Sequence, residues 1–154
     1  MNWLLLRHAD AELDAPSDLE RALSKKGHLQ AETLAQWFPS YRCRPNLILS
    51  STAIRAWQTA EPIAAALRVE CLPCPWARPG MSPESAIENL ESYASLENLM
   101  LVGHQPDLSL LAAQLLGAIE PTSLHVRKAS TLHLKILSKA SARLEAFIPC
   151  PSVS

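Results

Sequence analysis

Short unbroken apolar runs alternate along this chain with longer stretches in which apolar residues recur every three or four positions. The first run, Trp3-Leu4-Leu5-Leu6, is closed abruptly by Arg7 and His8. Such uncharged runs read as strands buried on both faces. Residues 2–7 are therefore expected to be the first strand. Leu47-Ile48-Leu49-Ser50, Val69 to Leu72 and Leu99-Met100-Leu101-Val102-Gly103 repeat the pattern. Between them the period is helical. After a polar loop over 8–24, Ser24 is positioned to cap a helix with Leu29, Leu34, Trp37 and Phe38 on its apolar face; Pro39 and the segment 41–45 end it. Gly27 is awkward inside a helix and marks its start. Ser50-Ser51-Thr52 offers capping oxygens for a second helix with Ile54, Trp57, Ala60, Ala64 and Leu67 inward, and Pro62 predicts a kink or a restart. Ser82-Pro83-Glu84 opens a third helix, lined by Ile87, Leu90 and Ala94. A fourth carries Leu108, Leu111, Ala112 and Leu115 and stops at Gly117. Past Pro121 the period becomes two. Thr131, His133 and Lys135 alternate with Leu132, Leu134 and Ile136, and a second run spans Arg143 to Ile148, so a hairpin turning at 138–141 is expected. The tail over 149–154 reads as irregular.

Strands alternating with helices predict a mostly parallel sheet covered on both sides, and the closing hairpin adds antiparallel edge strands. The expected fold class is a three-layer α/β/α sandwich. A length of 154 residues suits a single domain over 1–154, with no internal repeat or linker. Neither a Gly-x-Gly-x-x-Gly nor a Gly-Lys-Ser/Thr phosphate loop is present, which disfavours nucleotide-binding versions of this architecture.

Composition narrows the chemistry further. The chain is 48% hydrophobic, enough for a proper core, and its net charge of −1 comes with no Lys/Arg run. Long-range attraction to nucleic acid or to an anionic membrane is not expected, so an anion site must be local. No apolar run approaches the ~20 residues of a membrane span, and Trp3 to Leu6 is too short for a signal-peptide core. A cytoplasmic protein with reduced thiols is expected. Cys71-Leu72-Pro73-Cys74 is formally a Cys-x-x-Cys, but prolines follow where a redox motif needs a helix, and Cys43 and Cys150 supply no second zinc pair. The five histidines show no metal-ligand spacing, and no cofactor is implied.

Three of the strand ends carry the chemistry. In a parallel sheet, Arg7-His8, Ser50-Ser51 and Gly103-His104 fall on one edge, where ligands bind in open α/β sheets. Arg55 lies in the first turn of the helix after Ser51, and its side chain leans back toward that edge, as does the helix's positive end. Two arginines and two histidines, with no acid adjacent in these motifs, make a pocket for a dianion such as phosphate. A neutral imidazole there can attack phosphorus and form a covalent intermediate. The arginines and the other histidine would stabilise charge on the equatorial oxygens. The residues alone leave open which histidine attacks. His28 reads as helix surface, His133 falls on the polar side of the hairpin alternation, and His125 has no setting of this kind.

Leu6-Arg7-His8-Ala9-Asp10-Ala11, Ser50-Ser51-x-x-x-Arg55-Ala56-x-Gln58-Thr59-Ala60 and Val102-Gly103-His104-Gln105-Pro106 resemble the histidine phosphatase superfamily, with its phosphoglycerate mutase-like fold. The Arg-His-Ala-Asp-Ala wording and Ser17-Asp18-x-x-Arg21-x-Leu23-Ser24-x-x-Gly27 look most like the SixA-type phosphohistidine phosphatases. The resemblance spans about Leu4 to Leu137. It implies that His8 is the nucleophile that becomes phosphorylated, and that Arg7, Arg55 and His104 complete the phosphate pocket. Arg21 would be an additional phosphate or substrate contact, or else the partner of Asp18 or Glu20. Two departures stand out. Ala9 occupies the glycine position of the superfamily's Arg-His-Gly, a change SixA-type members share. No Asp or Glu occurs between Cys71 and Pro83, where larger relatives carry a proton donor; Glu84 is the first candidate and reads better as a helix N-terminal acid.

A missing donor favours a leaving group that needs little protonation. An alkoxide needs a general acid, typically worth ~10²–10⁴-fold, whereas imidazole leaves a phosphoramidate far more readily. The expected function is a metal-independent phosphatase that removes phosphate from phosphohistidine on a phosphotransfer protein and releases inorganic phosphate. The chain has no room for the long lids of small-molecule relatives. Two alternatives remain: a phosphatase of a small phosphate ester or anhydride, and a non-catalytic module that binds phosphoproteins.

Overall fold

In a computed structural model describing residues 1–117 and 120–152, six strands form one sheet in the order β3-β2-β4-β1-β5-β6. The strands are β1 (Asn2–Arg7), β2 (Leu47–Ser51), β3 (Cys71–Cys74), β4 (Asn98–Gly103), β5 (Thr131–Ser138) and β6 (Ser141–Ile148). The first four are parallel, while β5 and β6 add to the β1 side as the antiparallel hairpin expected from the period of two. Strand side chains alternate between two apolar layers. Leu4, Leu6, Ile48, Met100 and Val102 face helices α1 (Lys25–Trp37) and α2 (Ile54–Leu67). Trp3, Leu5, Leu49, Leu99 and Leu101 face α3 (Pro83–Glu91) and α4 (Asp107–Leu116). This is the expected α/β/α sandwich. Among the described residues no helix is long and apolar enough to cross a membrane.

The helices begin largely where their capping residues predict. Ser24 accepts the Gly27 N–H at the head of α1, and Ser82 accepts that of Ser85 at the head of α3. Gly27 lies inside the first turn of α1 because the chain after β1 crosses it there. A Cβ at that position would overlap the Asp10 carbonyl oxygen. The Ser50-Ser51-Thr52 expectation is corrected: α2 has no side-chain cap, and Ser51 Oγ instead accepts the Ala53 N–H.

Other corrections concern which way a helix faces. Leu29 is 55% exposed, and α1 buries Gly27, Ala31, Thr33 and Leu34 instead. On α2, Ile54 is exposed and Trp57 half-buried. The inward face runs through Arg55, Ala56, Thr59, Ala60, Ile63 and Leu67, so two polar residues occupy positions that apolar periodicity assigns elsewhere. Pro62 neither breaks nor restarts α2, because it lies off that buried stripe, half-exposed, where the lost hydrogen bond costs least. Ala94 lies exposed beyond the end of α3.

The third strand starts two residues later than its sequence pattern implies. Arg68 takes the left-handed conformation (φ 56°) and the Val69 N–H closes the end of α2 on the Ala64 carbonyl, so Val69 is spent on the helix terminus. Pro73 is tolerated in β3 because β3 is an edge strand. Residues 149–152 are irregular, as expected for the tail, whose last two residues lie outside the described residues.

Candidate active site

Strand order does most of the assembly. Because β4 lies between β2 and β1, the residue after β4 is flanked by the residues ending β2 and following β1. His104 therefore reaches Ser51, its Nε2 lying 2.8 Å from Ser51 Oγ, and its ring centroid is 5.2 Å from that of His8. Backbone pairing holds this geometry: the His8 N–H donates to the Gly103 carbonyl at 3.1 Å. The structure brings His8, Arg55 and His104 together, with the Arg7 guanidinium near enough to act on both rings.

His8 is 6% exposed and its two nitrogens are differentiated by their partners. Nδ1 lies 2.7 Å from the Ala9 carbonyl oxygen, which can only accept, so Nδ1 carries the ring proton. The lone pair of the neutral ring is thereby left on Nε2, toward which the Arg55 Nε–H points at 3.4 Å. Burial, with Arg55, Arg7 and Lys128 nearby, lowers the His8 pKa to about 4. His104 is lowered to about 3, chiefly by burial, with the neighbouring His8 ring, Arg55 and Arg7 acting in the same direction. Both imidazoles are neutral at neutral pH.

Two buried polar atoms here have no partner, Nδ1 of His104 and Nε of Arg7. Arg7 is otherwise anchored by an Nη1–H bond to the Val126 carbonyl at 3.0 Å. Unpaired buried nitrogens are costly, about 1–3 kcal/mol each, and are rare away from functional sites.

Three further residues shape the site without having been singled out in its sequence motifs as site residues. Thr59 accepts the Ala9 N–H and donates to the Arg55 carbonyl, stitching the loop after β1 to α2. Ser51 orients His104. Asp18 adds a carboxylate beside the pocket that lies outside those motifs: its carbonyl accepts from Arg55 Nη1 at 2.7 Å and its carboxylate from Nη2 at 3.0 Å. No spacing signal links Asp18 to Arg55, which lies 37 positions away; a single turn of 3₁₀ helix (Asp18–Glu20) delivers it. Arg55 and then Arg21 hold its carboxyl below the usual range, so it is ionised and has no proton to donate.

Arg21 does not join the cluster directly. Its Nη1 pairs with Asp18 at 3.1 Å and its Nε donates to the Glu12 carbonyl, which leaves it one carboxylate removed from Arg55. Glu84 is an exposed first-turn acid of α3, as expected. The buried Asp107 at the head of α4 accepts from the Gly80 and Met81 N–H groups and so latches the loop after β3. Burial raises its pKa. Cys71 and Cys74 both lie on β3, their thiols pushed by burial up to about 12 and about 11, a poor setting for redox exchange. Among the described residues no group of three His, Cys, Asp or Glu side chains could hold a metal ion.

Residues 3–75 match the model of the histidine phosphatase superfamily (branch 1). An uncharacterized protein of Picosynechococcus is 31% identical over 95% of this chain and 90% of its own length. The chain belongs to the histidine phosphatase superfamily. Within that superfamily it is 27% identical to the phosphohistidine phosphatase SixA of Escherichia coli, over 75% of this chain and 74% of that protein. A solved structure of the protein histidine phosphatase SixA complexed with tungstate superposes with a TM-score of 0.87 over 96% of both chains, at 21% identity. An α-ribazole phosphatase shares the fold as well. The chain is accordingly a phosphatase of the histidine phosphatase superfamily with the phosphoglycerate mutase-like fold.

Proposed function

We propose that this chain is a phosphohistidine phosphatase working through a covalent phosphoryl group on His8 Nε2, and that its substrate is phosphohistidine on a phosphotransfer protein. The observation that carries the nucleophile assignment is the hydrogen bond from His8 Nδ1 to the Ala9 carbonyl, which leaves Nε2 unprotonated and directed at Arg55. The low His8 pKa keeps that lone pair free across the neutral range.

In this reading Nε2 attacks phosphorus as the substrate's N–P bond breaks; the departing imidazole keeps the electron pair and takes a proton from water. Arg7, Arg55 and His104 surround the transferring group and stabilise its oxygens. In this reading the Ser51 hydroxyl, which accepts from the Ala53 N–H, donates its own proton to His104 Nε2. That leaves an N–H on the unpaired His104 Nδ1 to donate to a phosphoryl oxygen. Water then attacks the phosphorus of phospho-His8, the P–Nε2 bond breaks with its electrons returning to the ring, and inorganic phosphate is released. No step is assigned to a metal or cofactor.

The substrate class is supported by the site's acids. The carboxylate beside the pocket, Asp18, is held ionised by two arginines and cannot protonate an alkoxide, whereas an imidazole can take its proton from water on the far ring nitrogen and needs no enzyme acid. Arg21 is assigned a supporting role, tethering Asp18 and hence Arg55. The chain is proposed to act as one domain over 1–154 in the cytoplasm, where the four free thiols stay reduced.

The deciding experiment is incubation with a phosphohistidine protein labelled on phosphorus, followed by rapid quenching at alkaline pH. An acid-labile label mapped to His8 is expected; turnover with no label there would overturn the assignment. Phosphate release from the phosphohistidine protein is expected to exceed that from sugar phosphates. The reverse order would move the chain to small esters, and tight binding without turnover would make it a non-catalytic module.

A further inference from the structure

The chain has no run of basic residues in sequence, yet folding gathers one. A groove of about 420 Å³ opens beside the site from Arg7, and its lining includes Lys26, Arg127 and Lys128 with His125. Against these cations the groove wall offers one carboxylate, Asp10, already paired with Lys128 Nζ at 2.7 Å. Lys26 and Arg127 are exposed, and among the described residues neither has a carboxylate within ion-pair distance. The excess of positive charge is local, since the whole chain is −1.

A second feature concerns helix α1. Its first turn carries Lys25 and Lys26 and no acid. Cations at a helix N-terminus oppose the macrodipole, which favours anions there. The carboxylate at this helix end, Asp10, accepts from the capping Ser24 and is already shared with Lys128, so an external anion would complete the balance of Lys25 and Lys26.

Exposed, long side chains also say what kind of anion. A subsite for a small ligand uses a few rigid, precisely placed polar groups in a largely apolar cleft. Flexible cations on a polar rim instead steer and orient a macromolecular partner. We infer that the groove bounded by Lys26, Arg127 and Lys128 seats an acidic segment of the phosphoprotein whose phosphohistidine enters beside Arg7. The inference rests on the proposed phosphatase activity and adds where its protein substrate docks.

The test compares two substrates on the wild-type chain and on Lys26→Glu/Arg127→Glu. Neither side chain makes a hydrogen bond among those found in the fold, so the double variant should fold normally. The probes are phosphoimidazole and a phosphotransfer domain with Asp and Glu flanking its phosphohistidine. The expected result is a fall in kcat/KM of roughly tenfold or more on the phosphodomain at low salt, closing at high salt, with phosphoimidazole turnover unchanged. An equal loss on both substrates, or none on either, would overturn the docking inference. So would inhibition of the wild type by a short DNA duplex that the variant escapes, which would assign the groove to nucleic acid. If the wild type hydrolyses neither substrate, the phosphatase reading fails instead. The groove is then judged by equilibrium binding of the phosphodomain, which the double variant must weaken and, if it does not, the docking inference falls too.

Discussion

Two ends of the same sheet bury histidines, and they differ in how the rings are satisfied. Toward the amino end of β1, where His133 of β5 lies opposite Leu4, His133 is 3% exposed, and both ring nitrogens have partners: Tyr41 Oη at 2.7 Å and Asn2 Oδ1 at 3.0 Å. Tyr41 also packs edge-on against the ring. At the carboxyl edge of β1 and β4, His8 and His104 are comparably buried, yet His104 Nδ1 has no partner and His8 Nε2 faces only a 3.4 Å contact from Arg55. Burial alone does not mark a functional histidine. A buried ring with every nitrogen bonded serves the fold, whereas one left partly unpaired among cations is organised around something it has yet to bind.

The sharpest way to break this contrast is to truncate one histidine at each end. His8→Ala is expected to lower phosphohistidine hydrolysis by roughly 10⁴-fold or more while the thermal midpoint stays close to that of the wild type. His133→Ala should do the opposite: it removes the partner of the Tyr41 hydroxyl and of Asn2 Oδ1, costing about 1–3 kcal/mol in denaturant titration, with kcat unchanged. Equal losses of activity in the two variants would erase the distinction.

Next in size is Arg55→Ala. Removing a donor aimed at the developing charge should lower kcat by roughly 10²–10³-fold with a smaller change in KM. A change confined to KM would reduce Arg55 to a binding group.

Acidity sharpens the comparison at lower amplitude. The acid limb of kcat/KM should lie near pH 4, where free-enzyme His8 protonates, and well below the ordinary histidine value of 6.5. The same shift has a stability consequence. The folded pKa values of His8 and His104 lie below the unfolded value, so the unfolded chain binds more protons between them. Their contribution is complete above pH 6.5 and declines as pH falls toward about 4 and about 3. Chemical denaturation between pH 7 and 4 should show His8→Ala losing less stability than the wild type. The smallest expected effect is that of EDTA, which should leave phosphohistidine hydrolysis unchanged; inactivation restored by a divalent metal would contradict the metal-free mechanism.

Much of this site was legible in the chain because its residues follow strand ends, and strand ends are where apolar runs stop. Arg7, His8 and His104 can be placed that way before any coordinates. The pairing of Asp18 with Arg55 cannot. The local Arg21–Asp18 pair is open to a reading from their spacing, but both residues sit in a long loop with no periodicity, and only the packing of that loop against α2 makes Asp18 the ion-pair partner of Arg55. His133 misleads for a related reason. Alternation assigns it to a wet face, but the β5–β1 pairing and Tyr41 from beyond α1 cover that face. The exposed Leu29 and the buried Arg55 and Thr59 show the same limit within helices. A helical period gives a stripe, and its neighbours decide how that stripe is turned.

By itself the sequence determined the number and order of strands, the mixed α/β layering, and the residue types offered at each strand end, because these depend on local period and on where polarity begins. The order in which the strands lie side by side was decided only in three dimensions. With β4 seated between β2 and β1, His104 is pressed between Ser51 and His8, and the loop carbonyl of Ala9 fixes the proton on His8. Contacts between residues dozens of positions apart, such as those of His104 with Ser51 and His8 and the cationic groove beside them, depend on packing that no local pattern encodes.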